Sequence, residues 1–236
     1  AAIEPLAKAH ALRAFDLAND RLLQLELLQL EEAEYLLLFN MHHIISDGWS
    51  MDVLVREMTT LYDAIQQGIE QPLSVLPALN IQYKDYAAWQ NALLESEEAE
   101  AMRTFWLNLL SKEDGMLPTL ELPLDYARPT IKTYNGASLS KVIPLESLHG
   151  LNTLCQTQGA TLFMGLTALV KTLLYRYTGQ EDMLIGTPVA GRIHPDLHDQ
   201  IGFYVNTVVL RNRLKGEESF ETLLNTVKTN TLAAFE

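Results

Sequence analysis

The chain has 236 residues, of which 48% are hydrophobic, and this length allows a substantial core in one large domain or two small ones. A formal charge of -13 argues against nucleic acid and anionic membrane partners, which would be repelled. The single cysteine, Cys155, excludes an internal disulfide. The sequence shows neither a basic leader nor an apolar run long enough to span a membrane, so we expect a cytoplasmic protein.

The first predicted element is a β-hairpin. Residues 22–30 alternate between apolar and polar side chains for most of their length, and residues 35–43 form a nearly continuous apolar run. This pattern predicts two paired strands, of which the second is buried on both faces. His42 and His43 would end the second strand, and on a pleated strand they would point to opposite faces.

A helix is predicted directly after Gly48. Its apolar residues recur at intervals of four and three, as expected for one helical face: Leu54, Met58, Leu61 and Ile65. Ser50 and Asp52 stand where an N-cap and a first-turn acid belong, and Gly68 supplies a stop. The two histidines therefore lie at a strand-to-helix turn, which exposes side chains and backbone N–H groups together.

The rest of the chain predicts a mixed α/β arrangement. The proline-rich segment 117–129 cannot be a continuous helix or an inner strand, so it is a candidate lobe boundary. Residues 132–143 look extended, and Cys155 is expected to pack on a helical face. The predicted helices are residues 83–93, 97–110, 145–158, 161–177 and 220–235, and the predicted strands are residues 183–186 and 203–210. The apolar face predicted for the helix at 161–177 consists of Leu162, Leu166, Val170 and Leu173.

Residues 41–50 (MHHIISDGWS) carry the candidate chemistry. An imidazole titrates near neutral pH, so a histidine delivered to a turn by a rigid strand is suited to accept a proton. A metal site is disfavoured because adjacent strand positions cannot both point at one ion and no third ligand is evident. Ser46 and Ser50 lack the glycine pattern of a hydrolase nucleophile elbow, and residues 186–192 lack the Lys-Ser/Thr of a phosphate loop.

These exclusions leave a general-base site with no metal, no covalent intermediate and no bound cofactor. Such a site suits a substrate that is already activated as a thioester and is attacked by an amine or a hydroxyl. The candidate catalytic residues are His43, His42, Asp47 and Gly48. For Asp47 an ion-pair role is preferred to direct proton transfer, because an ordinary carboxylate is a poor base for an ammonium group.

Several blocks, in order along the chain, are similar to those of a known family. Residues 41–50 resemble the His-His-x-x-x-Asp-Gly signature of condensation domains of nonribosomal peptide synthetases. Residues 13–17 (RAFDL) resemble the upstream Phe-Asp-Leu block of that family, and residues 83–90 (YKDYAAWQ) resemble its Tyr-x-Asp-Tyr-Ala-x-Trp-Gln block. Residues 185–192 (IGTPVAGR) and 201–207 (IGFYVNT) resemble its Gly-x-Pro-x-x-Gly-Arg and Gly-Phe-Tyr-Val-Asn-Thr blocks.

The resemblance implies an α/β fold of the α+β two-layer sandwich type. The chain would form parts of two lobes, each similar to chloramphenicol acetyltransferase, and the active site would lie in a tunnel between the lobes. Residues 1–125 would form part of the N-terminal lobe, residues 126–137 a linker, and residues 138–236 part of the C-terminal lobe. Complete domains of the family are longer, so the chain is expected to be truncated at both ends, to be inactive alone and to self-associate through unpaired edges and apolar surface.

The resemblance also implies an enzyme of antibiotic and other secondary metabolite biosynthesis. It would form an amide between a donor thioester on one peptidyl carrier domain and an acceptor amine on another, next to an adenylation domain, with both substrates held on phosphopantetheine arms. His43 would position or deprotonate the amine, and the Gly48 backbone would lie beside the reacting carbonyl. Asp47 would pair with an arginine from a basic motif that precedes the blocks present here.

Other residues are expected to bind substrate or to hold the structure. The substrate-binding candidates are Trp49, Ser50 and Asn206. The structural candidates are Arg192, Tyr83, Asp85 and Trp89, with Arg192 expected in the C-terminal lobe. One alternative is an epimerisation domain, which shares the histidine signature but usually has Ser-Trp after the glycine where this chain has Trp-Ser. The other is a noncatalytic relative that recruits partners, and such relatives typically lose one of the two histidines.

Overall fold

The structure is a computed structural model that describes residues 3–111 and 117–236. It contains two compact units, one formed by residues up to Ala99 with Val189–Asn206, and the other by Glu100–Pro188 with Thr207–Glu236. Both units are discontinuous in sequence, because residues 189–206 hydrogen-bond with the loop before the second helix and pack into the first unit. The consecutive lobes expected from the sequence, joined at residues 126–137, remain a prediction.

The described chain is a mixed α/β structure, as expected. Its helices are α1 (Ile3–Ala11), α2 (Gly48–Gln66), α3 (Tyr83–Leu94), α4 (Glu97–Leu110), α5 (Leu145–Thr157), α6 (Leu162–Thr178) and α7 (Phe220–Phe235). Its strands are β1 (Leu23–Glu31), β2 (Glu34–Met41), β3 (Asp182–Val189) and β4 (Asn206–Arg213), paired as β1 with β2 and β3 with β4. Every helix and strand predicted from the sequence is confirmed with small shifts at the ends, and α1 is an addition.

The hairpin of β1 and β2 is antiparallel and leaves one apolar face exposed. Residues opposite each other share a face, and this face carries Leu25 opposite Phe39 and Leu27 opposite Leu37. All four side chains are at least 37% exposed. We call them the hairpin stripe. The prediction that β2 is buried on both faces is therefore wrong, because the face that carries the stripe is exposed. The opposite face is covered by α1, where the Asn40 side chain donates to a carbonyl of that helix (3.0 Å).

The core of the second unit lies along one face of α6. The buried residues of this helix are Met164, Gly165, Thr167, Ala168 and Lys171. The core residues that pack with them from α5 and α7 include Cys155, Leu223, Leu224 and Val227. The face predicted from the sequence is wrong, since Leu166, Val170 and Leu173 are 40% to 55% exposed. Apolar residues occur all around α6, so their spacing does not select the buried side.

Lys171 is a charged side chain within this core and is fully buried. Its ammonium group donates to the Leu210 carbonyl in β4 (2.8 Å) and to the Met183 carbonyl in β3 (3.4 Å), so it ties α6 to both strands. Burial lowers the pKa of Lys171 to about 8, although the nearby Asp182 favours the charged form. The folded state therefore carries the cost of a desolvated ammonium group at neutral pH.

The stability of the chain is expected to rise with pH through this lysine. Between pH 8 and 10.5 the unfolded chain holds a proton on Lys171 that the folded chain has lost, so folding becomes more favourable as the pH increases. The full effect is about 3 kcal/mol. Urea unfolding of the wild type and Lys171→Met, compared at several pH values, isolates this group from the other titrating residues. A stability difference that does not change between pH 7 and 10 would contradict the account.

Candidate active site

The two histidines of the predicted catalytic element lie at the end of β2 and in the turn that follows it. The strand ends at Met41, and a turn of 3-10 helix (His43–Ile45) comes next. His42 and His43 are therefore not consecutive strand residues, and the expectation that strand pleating separates them is wrong. The turn separates them instead, because it begins between the two residues and redirects the backbone.

The surroundings of the two imidazoles differ. The Nδ1 atom of His42 accepts the backbone N–H of Ile44 (3.0 Å), and its ring packs edge-on against Phe15 with the centroids 5.7 Å apart. His43 is exposed, and its ring contacts Phe203 edge-on at 5.4 Å. His42 is thus committed to the local backbone, whereas the imidazole of His43 is accessible for proton transfer.

The turn passes directly into α2, and Asp47 is the N-cap of that helix. Its Oδ1 atom accepts the backbone N–H of Ser50 (2.9 Å), one of the donors that the first helical turn leaves unpaired. The expectation that Ser50 caps the helix, with Asp52 as the first-turn acid, is wrong. The helix begins at Gly48, so Ser50 already lies within the first turn.

The carboxylate of Asp47 is buried, with 3% of its side chain exposed. In addition to the cap, Oδ1 accepts from the Ser50 hydroxyl (2.7 Å) and from Arg192 Nη2 (3.1 Å), and Oδ2 accepts the backbone N–H of Tyr204 (3.0 Å). Burial raises the pKa of Asp47, but the hydrogen bonds outweigh burial and hold the pKa below its usual value. Asp47 is therefore a stable anion that joins the histidine turn to residues 192–204.

Arg192 is the cation that neutralises this anion, and only 1% of its side chain is exposed. Its Nη1 atom donates to the carbonyls of Leu197 and Gln200, the second at 2.8 Å. Its guanidinium lies 4.1 Å from the centre of the Tyr204 ring, which favours a cation. Arg192, which packs in the first unit, is thus the partner of Asp47 in this structure, and pairing with an arginine from an upstream motif remains a prediction.

Ser50 completes the network and is fully buried. Its hydroxyl oxygen lies 2.9 Å from the Gly202 carbonyl and accepts from the Gly202 N–H (3.1 Å) and from Arg192 Nη2 (3.0 Å). These contacts occupy the hydroxyl in addition to its bond to Asp47. The assignment of Ser50 as a substrate contact does not fit this burial, and the residue positions the turn instead.

Gly191 permits the close approach on which this network depends. Its φ angle is +66°, a left-handed conformation that favours glycine. A Cβ atom at this position would come within 2.0 Å of the Tyr204 carbonyl oxygen. The next residue is Arg192, so this turn sets the direction in which the guanidinium enters the core.

Gly191→Ala is expected to destabilise the first unit by about 2 to 5 kcal/mol, because it adds a backbone clash to an unfavourable φ angle. Urea unfolding followed by tryptophan fluorescence measures the change. Gly150→Ala is the matched control: the added Cβ meets open space among the described residues, and within α5 it should stabilise by about 0.5 to 1 kcal/mol. Equal effects of the two substitutions would show that the turn at Gly191 is not required.

The other predicted substrate residues are accessible. Trp49 is 43% exposed, and its indole N–H donates to the His198 carbonyl (2.9 Å). Gly48 is exposed at the first position of α2, and Asn206 is exposed at the start of β4. Their contact with a substrate, and the place of the Gly48 backbone beside a reacting carbonyl, remain predictions.

The three aromatic and acidic residues predicted to be structural lie in and around α3. The Tyr83 hydroxyl donates to the Phe203 carbonyl (2.9 Å). The Asp85 carboxylate caps α3 by accepting a backbone N–H at its start (2.8 Å). The Trp89 ring packs against Tyr86 with the centroids 5.8 Å apart. The Tyr83 contact therefore holds the backbone at Phe203, and the Asp85 contact stabilises the start of α3.

The sequence did not indicate the part played by Gln200 and Tyr204. The Tyr204 hydroxyl donates to the Gln200 side chain (2.5 Å), whose amide donates in turn to the Ile81 carbonyl (2.8 Å). Burial raises the pKa of Tyr204 to about 12, so the hydroxyl keeps its proton. The resemblance of residues 201–207 to a family block was the one signal that pointed to this region.

Neither a metal centre nor a membrane helix is found in the described residues. Across residues 3–111 and 117–236, His, Cys, Asp and Glu side chains do not gather in threes that could hold a metal ion. Within the same ranges, none of the helices combines the length and the apolar character needed to cross a membrane.

The structure thus combines a mixed α/β fold with an exposed histidine that precedes a buried, ion-paired aspartate. The family model of the condensation domain matches residues 1–236, and the chain belongs to this family. Among curated proteins it is similar to gramicidin S synthase 2 of Brevibacillus brevis, with 42% identity over 95% of the chain. It is also 40% identical, over 95% of its length, to bacitracin synthase 1 of Bacillus licheniformis.

The chain corresponds to a small part of these synthetases and to about half of a solved domain. It spans 5% of gramicidin S synthase 2 and 4% of bacitracin synthase 1. The X-domain from teicoplanin biosynthesis aligns with all of the chain at 28% identity and a TM-score of 0.88, and 53% of that domain is covered. The first condensation domain of the calcium-dependent antibiotic synthetase shares the fold at 24% identity and a TM-score of 0.73, with 51% covered.

Proposed function

We propose that this chain carries the catalytic turn of a condensation domain that forms an amide bond. The donor is an acyl or peptidyl thioester on one carrier domain, and the acceptor is the amine of an aminoacyl group on another. The observation that supports this most directly is the contrast between an exposed His43 and a buried Asp47 four residues later. The first is free to meet a substrate, and the second fixes the turn that presents it.

His43 is the proposed proton acceptor or amine-positioning group. The attacking amine must lose a proton as the C–N bond forms and the thiolate leaves, and an imidazole is suited to accept that proton near neutral pH. His42 supports the turn, because its Nδ1 already accepts a backbone N–H. Asp47 has a structural role, because its carboxylate already accepts hydrogen bonds from Ser50, Arg192 and Tyr204 and so fixes the position of the turn.

The substrates would arrive on phosphopantetheine arms of peptidyl carrier domains, so no cofactor needs to bind this chain permanently. The neighbouring partners proposed here are a donor carrier, an acceptor carrier and an adenylation domain. Similarity to the curated synthetases supports this setting. The whole assembly would work in the cytoplasm, and the 236 residues alone are expected to be inactive.

One assay distinguishes this function from the two alternatives. A synthetase module that contains the chain is supplied with a loaded donor carrier and a loaded acceptor carrier, and both are weighed as intact proteins. Amide formation increases the mass of the acceptor carrier by that of the donor acyl group. Epimerisation leaves both masses unchanged in water and adds one deuteron at the α-carbon in D₂O. A domain that only recruits a partner changes neither mass, and the complex of the X-domain and OxyB is among the structural relatives of this chain.

Self-association of the 236-residue chain is also expected, and it rests on the hairpin stripe. Four large apolar side chains exposed on one strand pair promote pairing with another chain. Light scattering after size exclusion should show a dimer or a larger species, and Leu25→Glu combined with Leu27→Glu should shift it towards monomer. Leu139→Glu is the control, because Leu139 is 98% exposed and lies outside the stripe. A wild-type monomer at high concentration would contradict this prediction.

A further inference from the structure

A cavity of about 420 Å³ opens on the surface of the first unit and takes no part in the proposed chemistry. One wall is formed by α3 and the other by residues 193–197. Its volume lies within the range of sites that hold a small ligand or a large side chain. The cavity is not part of the histidine turn, so its role is separate from acyl transfer.

The floor of the cavity is fixed before any ligand arrives. Tyr86 and Leu197 form it, with 7% and 3% of their surface exposed, and both pack into a cluster with Tyr204. The Tyr86 and Tyr204 rings are 4.7 Å apart between centroids, and Arg192 donates to the Leu197 carbonyl. A rigid apolar floor lowers the entropy cost of binding.

The rim of the cavity exposes two large apolar side chains. Trp89 is 45% exposed on the α3 side, and Ile193 is 75% exposed on the opposite side. An aromatic and a branched aliphatic residue that line one apolar depression are typical of the central contacts of a protein interface. A ligand with one bulky apolar group would cover both.

Two carboxylates give the cavity a negative charge. Asp85 accepts a backbone N–H, and Asp196 accepts from the Asn80 side-chain amide (3.1 Å) and lies 3.5 Å from His194 Nδ1. In the part of the chain that the structure describes, no lysine or arginine comes within ion-pair distance of either carboxylate. A ligand with positive charges beside its apolar group would match both features.

We propose that this cavity docks a peptide segment of a partner domain in which one bulky apolar side chain is flanked by lysine or arginine. The apolar side chain would rest on Tyr86 and Leu197 between Trp89 and Ile193. The basic side chains would meet Asp85 and Asp196 at the rim. Amine and guanidinium groups on a short peptide fit this arrangement, whereas a nucleic acid would be repelled by the carboxylates and by the net charge of -13.

The test uses a fluorescent peptide with a central Lys-Leu-Arg sequence, and anisotropy measures its binding to the 236-residue chain. Two peptides of the same length serve as controls. One has Lys-Gly-Arg at the centre and lacks the apolar side chain, and the other has Glu-Leu-Glu and lacks the positive charges. The Lys-Leu-Arg peptide should bind at least about tenfold more tightly than either, since each lacks one of the two matched features. Equal binding of all three, or no binding at millimolar concentration, would overturn the proposal.

Variants of the chain locate the site. Ile193→Ser should weaken binding about tenfold through lost apolar contact, and Asp196→Asn a few-fold, as an exposed ion pair would. Asp199→Asn is the matched control, because Asp199 lies in the same loop but pairs with Arg56 outside the cavity. Circular dichroism should show that all three remain folded. If Asp199→Asn weakens binding as much as Asp196→Asn, the charge effect is nonspecific and the cavity is not the site.

Discussion

Replacing Arg192 with methionine is expected to lower the free energy of unfolding of the first unit by about 3 to 5 kcal/mol. Methionine keeps an apolar stem but removes the guanidinium that neutralises Asp47. The carboxylate would then be buried without a cation, and the Leu197 and Gln200 carbonyls would lose a donor. Urea unfolding measures this loss, and Trp49, with its ring 5.8 Å from the guanidinium, reports on the local structure by fluorescence.

Two further variants test the reason for the loss. Arg56→Met removes an arginine from an exposed pair with Asp199 and should change the stability by no more than about 1 kcal/mol. Adding Asp47→Asn to Arg192→Met should recover part of the lost stability, because no unpaired charge then stays buried. If the double variant is as unstable as the sum of the single variants, the two residues do not depend on each other, and the ion pair does not hold the turn.

Local elements were predictable because their signals are local. The residues that form the amphipathic pattern of α7 are close together in the sequence, and so are those that form the apolar run of β2. The predicted bounds of α4 and α7 match the structure. The N-cap of α2 was misplaced because Asp47 and Ser50 are both good capping residues and the sequence does not show which one has the extended backbone.

Burial was predicted less well, because it depends on which parts of the chain cover a surface. All positions around α6 are compatible with packing, and α5 and α7 decide which face is buried. In the same way, α1 covers one side of the hairpin and leaves the other exposed. A sequence pattern states how apolar a face is, and the neighbouring elements determine whether it is covered.

The network behind the candidate site was also beyond the reach of spacing arguments. Asp47 and Arg192 are 145 residues apart in the chain, so their pairing is a property of the tertiary fold. The resemblance to the condensation family pointed to both segments without placing them together. It also implied that an arginine from a motif preceding the blocks present here would pair with Asp47, whereas the structure pairs Asp47 with Arg192.

His43→Ala is expected to reduce amide formation by a factor of about 10² to 10⁴, the usual contribution of one proton-transfer group. His43 is exposed and its ring makes one edge contact with Phe203, so the loss should come without a large change in folding. The variant must be made in a synthetase module that contains the chain, with loaded donor and acceptor carriers. The unfolding midpoint of each variant is recorded beside its rate.

The most direct measurement of the central claim is the single-turnover rate of this transfer for the wild type, His43→Ala and His149→Ala, followed by the intact mass of the acceptor carrier. His149 is an exposed histidine on α5 and serves as the matched control. The account predicts a rate at least about 10² lower for His43→Ala, with His149→Ala and both unfolding midpoints close to wild type. Product formation at the wild-type rate by a folded His43→Ala variant would contradict the claim that His43 carries the chemistry.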